Sequence, residues 1–317
     1  MHLYLFCNSK TQAFAIEWDG GVIFMKKTLF EGLCTALVTP FYDGKVNYPM
    51  VDLLIRRQLE AGVQAIVLSG TTGESPTLSE EEKLELFRRG VRAAEGGCKI
   101  IAGTGSNDTR HAVELSIEAS ACGVDGLLAV TPYYNKCTQS GLLKHFEAIA
   151  GAVSLPVIAY NVPSRTGVDI SVDTCAELSK IPNMAGIKEA GGDISKVLKI
   201  IARCGSRLPV YSGNDDQTVA IMALGGKGVI SAASNVMPLE MNAMVTAAQN
   251  GEFDLAALMQ RRLLPLTELM FCQVNPIPVK AAMKYAGYDV GSCRMPLDEL
   301  SPENRKKMES YFRSQIP

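Results

Sequence analysis

Between Leu33 and Ser234 one pattern recurs eight times: a short apolar run, a stop at Gly, Ser, Thr, Asn or Pro, then a stretch of helical periodicity. The runs are LCTALVTPF, AIVLSG, KIIAGTG, GLLAVTPYY, PVIAYN, MAGIKEA, PVYSG and GVISAAS. Each has the length and the Val, Ile, Leu and Ala content of a strand buried on both faces. Eight β-then-α units in about 220 residues predict an α/β chain folded as a (β/α)8 TIM barrel. A doubly wound dinucleotide sheet would place G-x-G-x-x-G after its first strand, whereas here that strand runs into TPFYDG. GTGSND carries only part of that fingerprint and reads as a tight turn into a helix. GGKGVIS precedes a strand instead of following one, so a phosphate loop is not expected there.

The helices between the runs carry their own punctuation. In SEEEKLELFRRGVRAAEGG, Ser79 and Glu82 have capping-box spacing, and Leu84, Phe87 and Val91 are expected to form one face. NDTRHAVELSIEASACG repeats the scheme with a stop at Gly123. The barrel is expected over residues 25–251. Residues 252–317 read as a helical extension of about three helices, with packing or oligomer contact as its expected role. Residues 1–24 do not share the pattern and lack the compact apolar core of a signal peptide. MKKTLFEGL looks like a fresh start, which makes 1–24 an extension upstream of a natural initiator at Met25.

Composition narrows the function. With 47% hydrophobic and 20% charged residues and a net charge of -2, the chain has no basic footprint for nucleic acid and no run long enough to span a bilayer. A cytoplasmic location is expected. The nine cysteines form no C-x-x-C pair and read as reduced, mostly buried thiols. His2, His111 and His145 lack metal-ligand spacing.

One residue does not fit a buried strand. Lys188 stands in the middle of MAGIKEAGG. Under two-residue alternation it faces inward with Met184, Gly186 and Ala190, while Glu189 faces away. Burial favours the neutral form of an amine, which can attack a carbonyl and form a Schiff base. The alternative is a lysine paired with a carboxylate, and no inward carboxylate is evident on the neighbouring runs. Schiff-base chemistry needs proton traffic, which Tyr160 and Tyr134 can supply with Thr71 between them. Thr71 and Thr72, with the amides of GTTGES, suit the carboxylate of a 2-oxo acid.

SGTTGES, TPYYNKCTQSG, YNVPSRTG, GIKEAGGD, SGNDD, GVISAASN and NPIPVKAAM occur in that order. In these motifs the chain, from about Met25 to its end, resembles the dihydrodipicolinate synthases. That family sits within the pyruvate-dependent class I aldolase superfamily, which also contains N-acetylneuraminate lyase. The resemblance implies that Lys188 forms the Schiff base with pyruvate and that Tyr160 donates and accepts protons. It implies a relay through Thr71 and Tyr134, with Tyr134 lent by a neighbouring subunit. Thr72 would bind the pyruvate carboxylate, Gly213 and Ile230 would line the pocket, and Arg165 would receive the carboxylate of L-aspartate 4-semialdehyde. No metal or organic cofactor is implied, and the assembly would be a homotetramer built from two tight dimers.

The rival within the superfamily is a sugar-acid lyase. Arg165 and the GTTGE form of the first motif argue against it. A non-catalytic binding protein on the same scaffold should have lost Lys188 or part of the relay, and every relay position is filled. Lysine-sensitive relatives offer histidines where Glu80 and Lys83 stand and a glutamate where His111 stands, although Ser75, Asn107 and Tyr133 fit the sensitive pattern. Weak or absent feedback inhibition by lysine is therefore expected.

Overall fold

The computed structural model describes residues 28–314 in full. Ahead of them it describes the backbone of three strands, Leu5–Asn8, Ala13–Trp18 and Gly21–Lys26, which pair as an antiparallel sheet. The expected extension 1–24 falls in this part, and its side chains and connections lie outside the described residues.

From Gly32 the eight predicted runs are eight strands: β1 Gly32–Ala36, β2 Ala65–Leu68, β3 Lys99–Gly103, β4 Gly126–Val130, β5 Val157–Asn161, β6 Met184–Glu189, β7 Val210–Ser212 and β8 Gly228–Ser231. Each pairs in parallel with its sequence neighbours, and β8 pairs with β1, which closes the barrel. Closure leaves no sheet edge and buries both faces of every strand, which is why the runs read as continuously apolar. In β2, Ala65 and Val67 point into the barrel with Cys34, Ile101 and Ile158, while Ile66 and Leu68 point out to the helices.

The partial G-x-G fingerprint after β3 is explained by crowding. A Cβ on Gly103 would stand 2.2 Å from the carbonyl oxygen of Ser69, and one on Gly105 would stand 2.3 Å from the amide nitrogen of Val130. Both glycines let neighbouring strand ends approach.

β6 departs from strict alternation. Val157 pairs with Met184, but Ile158 pairs with Gly186, so β6 holds one extra residue there. Met184 consequently joins the outer layer with Ile187 instead of facing inward with Lys188 as alternation predicts. The bulge lies before Lys188 and leaves its register with Tyr160 and Tyr211 intact.

The crossover helices are α1 Tyr48–Glu60, α2 Glu80–Ala94, α3 Thr109–Ala121, α4 Gln139–Ala152, α5 Val172–Leu178, α6 Ile194–Cys204, α7 Thr218–Ala223 and α8 Pro238–Gln249. α2 starts on the predicted capping box: the Glu82 amide donates to Ser79 Oγ (3.2 Å) and the Ser79 amide to Glu82 Oε2 (3.0 Å). Its buried face is Leu86, Phe87, Gly90 and Ala94, while Leu84 and Val91 are only half-buried. Burying Phe87 contributes about 2–3 kcal/mol. α3 begins on Asp108, whose side chain accepts the Arg110 amide (2.9 Å), and the chain turns left-handed at Gly123. Three more helices follow the barrel: α9 Phe253–Met270, α10 Ile277–Tyr285 and α11 Pro302–Ser314. Among the described residues no helix is long and apolar enough to cross a membrane. The eight cysteines among them are free thiols.

His145 on α4 is buried. Its Nδ1 meets Thr109 Oγ1 at 2.9 Å, and its Nε2 has no hydrogen-bond partner among the described residues. Protonation would put a charge on that unpartnered nitrogen, so burial pushes the imidazole down from 6.5 to about 4. The unfolded chain therefore binds the extra proton first. Stability is fully present above the ordinary value of 6.5, falls as the pH drops toward about 4, and levels off below that. The total is about 3 kcal/mol. Urea unfolding between neutral and mildly acid pH should show a loss in the native protein that His145→Asn lacks. Parallel stability curves would contradict this.

Candidate active site

The C-terminal strand ends surround a cavity of about 340 Å³ lined by Gly70, Thr71, Tyr133, Tyr160, Arg165 and Asn275, among others. Tyr160, the fourth residue of β5, is directly opposite Lys188 in register, and the Lys188 Nζ lies 4.4 Å from the centroid of its ring. Both side chains are only 7% exposed. Toward the other end of the barrel Tyr211 fills the interior. It stacks on Phe30 (centroids 4.4 Å apart) and donates its hydroxyl to the Phe30 carbonyl (2.7 Å). A Cβ on Gly186, two residues before the lysine, would meet the Pro209 carbonyl oxygen at 2.7 Å and the Tyr211 ring at 2.9 Å, so a glycine there makes room for this plug.

Among the described residues no carboxylate pairs with Lys188. Glu189 faces away, as alternation predicts, but it is far from idle. It is buried, receives the Asn161 side-chain amide on both oxygens (3.0 and 2.9 Å) and the Gly191 amide (2.7 Å), and lies 3.3 Å from Lys196 Nζ. Burial pushes its carboxyl up, against the pull of Lys196 and Asn161. Asn161 and Glu189 follow Tyr160 and Lys188 in sequence and are themselves in register. Their bonds lock the two strands together behind the amine and the phenol. A buried acid that feels the Lys188 charge is Asp215, just after β7, which the apolar runs did not reveal. It is buried, its Oδ2 accepts the amides of Ala232 (3.2 Å) and Ala233 (3.0 Å), and burial raises its pKa while the Lys188 charge pulls the other way. Asp215 thus fastens the turn after β8 and makes no ion pair with Lys188.

The turn after β2 presents both threonines. Thr71 lines the cavity. Thr72 is buried, and its Oγ1 accepts the Asn275 side-chain amide at 3.0 Å. Arg165 also lines the cavity, on a short helical turn, and donates to the carbonyl of Asn275 (3.2 Å). Asn275, one residue in the segment between α9 and α10, therefore touches two predicted site residues. Ile230 is fully buried in the barrel interior. Gly213 follows β7, where a Cβ would stand 2.6 Å from that of Ala190, so only a glycine lets the ends of β6 and β7 converge. Of the predicted site residues Thr71, Tyr160 and Arg165 line the cavity, whereas Lys188, Thr72, Gly213 and Ile230 lie behind its lining.

Tyr134 does not join the site within this chain. The amide of Asn135 donates to the carbonyl of Tyr133 (2.9 Å), which makes Tyr134 the centre of a three-residue turn at φ +70°. That conformation is strained for a bulky residue. It leaves the Tyr134 side chain 91% exposed while Tyr133 lines the cavity.

The arrangement can capture a carbonyl on the buried amine, move protons through the adjacent phenol, and receive carboxylates on threonine hydroxyls and a guanidinium. The amine, Tyr160 and Thr71 stand at the strand ends as the sequence predicts, whereas Tyr134 does not join them. Asn275, Glu74 and Lys280 were not predicted, although GTTGES and NPIPVKAAM contain them. A glutamate in a glycine-rich turn and a lysine in an apolar helix were the available signals.

The model of the dihydrodipicolinate synthetase family matches residues 29–315. The 4-hydroxy-tetrahydrodipicolinate synthase of Alkaliphilus oremlandii is 47% identical over 287 residues, which cover 90% of this chain and 99% of that protein. Among solved structures, dihydrodipicolinate synthase from Aquifex aeolicus is similar with a TM-score of 0.88 at 44% identity, covering 90% of this chain and 98% of that one. The Acinetobacter baumannii dihydrodipicolinate synthase, solved in complex with pyruvate, gives a TM-score of 0.87 at 40% identity, with 90% and 98% covered.

Proposed function

The chain belongs to the dihydrodipicolinate synthetase family, and from that premise we infer that it condenses pyruvate with L-aspartate 4-semialdehyde to give 4-hydroxy-tetrahydrodipicolinate. This is the committing step of lysine and diaminopimelate biosynthesis. The observation that carries the reading is the unpaired, buried Lys188 amine packed on the Tyr160 ring at 4.4 Å. Nζ attacks the keto carbon of pyruvate, the carbinolamine loses water, and the imine forms. The methyl carbon then gives up a proton to become an enamine, which attacks the aldehyde. The amine of the second substrate next attacks the imine carbon, closes the ring and releases Lys188. Protons move through the Tyr160 phenol, with Thr71 next in line.

Thr72 receives the pyruvate carboxylate beside Thr71, and Arg165 at the cavity wall receives that of the semialdehyde. Gly213 and Ile230 act by shaping the strand ends and the interior around Lys188. Tyr134 serves the site of a neighbouring subunit: its exposure and its strained turn support this, since it is not among the residues that line the cavity of its own chain. A homotetramer of two tight dimers in the cytoplasm goes with this reading. Feedback by lysine is weak, because Lys83 is buried against the same cavity and His111 is engaged with Glu80 (3.2 Å).

Three measurements check these statements. Purified protein should turn over pyruvate with L-aspartate 4-semialdehyde and leave N-acetylneuraminate untouched. With both substrates near their KM, L-lysine in the millimolar range should change the initial rate little. Cleavage of the sugar acid, or a saturating lysine inhibition curve, would contradict the respective point. In the third measurement, inactive Tyr134→Phe and inactive Lys188→Ala proteins are mixed under subunit exchange. Part of the activity should return, because some sites then combine an intact lysine with an intact tyrosine. Verified exchange with no recovery would leave Tyr134 outside a shared site.

A further inference from the structure

Glu74 closes the turn that carries both threonines. Its amide donates to the Thr71 carbonyl (3.1 Å), and the residue itself sits in the left-handed region at φ +57°. The side chain points away from solvent and into the C-terminal region. Oε1 accepts Lys280 Nζ at 2.6 Å and Oε2 accepts the Arg294 amide at 2.8 Å. Lys280, on α10, is as buried as its partner. It also donates to the Ser292 carbonyl (3.1 Å) and lies 4.2 Å from the centre of the Phe41 ring. Asn275, at the head of the same segment, holds Thr72 Oγ1. From the other side Thr39 Oγ1 donates to the Gly73 carbonyl (2.7 Å). The turn is therefore fixed between β1 and the helices that follow the barrel.

A buried ion pair is a poor source of net stability, because both charges lose their water. What it fixes well is geometry, since either charge left alone is costly to bury. Here the fixed point lies two residues from Thr72 and on the wall of the cavity itself. We propose that the Glu74–Lys280 pair is a positioning device for the reaction: it docks the C-terminal helices onto the turn after β2 and so sets Thr71 and Thr72 where the carboxylate of the 2-oxo acid binds. This rests on the reading of Thr72 as the carboxylate site. It gives the helices after the barrel a role beyond packing or oligomer contact.

The test is steady-state kinetics of three variants of the full chain, with melting temperatures recorded alongside. Lys280→Met leaves an unpaired carboxylate on the cavity wall, and the KM for pyruvate should rise about tenfold or more while kcat changes less than about threefold. Glu74→Gln is isosteric and keeps an acceptor for the Arg294 amide, so it should fold and raise that KM less. Combining the two substitutions should bring the KM below the Lys280→Met value, because no charge is then left alone. A lower melting temperature with an unchanged KM in both single variants would make the pair merely structural and overturn the proposal. So would a combined variant with a KM at or above that of Lys280→Met. A parallel Thr72→Val variant separates the two layers. An unchanged pyruvate KM there removes the carboxylate reading and the proposal with it. A raised KM there, with none in the Glu74 or Lys280 variants, removes the proposal alone.

Discussion

Everything near the site follows from keeping one amine dry and unpaired. Lys188 is buried in a closed barrel with no carboxylate in contact among the described residues. An amine free of a salt bridge is open to attack a carbonyl. Glu189 has both oxygens engaged by Asn161 and Gly191, and Asp215 spends its Oδ2 on the amides after β8. The lysine meets the face of Tyr160, and the interior beyond it is sealed by the Tyr211–Phe30 stack.

The second constraint is that the substrates are small and charged. A 2-oxo acid offers the site a carbonyl and a carboxylate close together. The donors for the carboxylate must then be held to a fraction of an ångström relative to the amine. Lys188 is on a strand and is positioned by the barrel itself. Thr71 and Thr72 are on a turn, which has no such rigidity of its own. Lys280 and Arg294 hold it at Glu74 and Asn275 holds it at Thr72, from a region about two hundred residues further along.

The fold was legible because its signal is periodic: eight runs of the right length, each stopped by a turn residue, became eight strands in order. Capping at Ser79 and the stop at Gly123 were legible because they depend on residues three or four positions apart. Met184 was misplaced because a bulge shifts register by one, and nothing local in MAGIKEA marks it. Lys188 and Tyr160 could be singled out because polar residues in apolar runs stand out, and the threonines because they fall in a glycine-rich turn at a strand end. Glu74 and Lys280 could not be joined by any spacing rule, since their contact is set by how the C-terminal helices pack. Tyr134 shows the same limit from another side: its residue type was informative, but its outward direction comes from a three-residue turn that the sequence does not announce.

The reading stands or falls on which nitrogen captures pyruvate. Borohydride reduction of the protein in the presence of pyruvate, followed by peptide mapping by mass spectrometry, answers this directly. A reduced pyruvate adduct should appear on the peptide containing Lys188, at one per chain, and should vanish in Lys188→Arg, whose guanidinium stays protonated and forms no imine. An adduct on any other lysine, or none at all in a protein that still turns over its substrates, would contradict it.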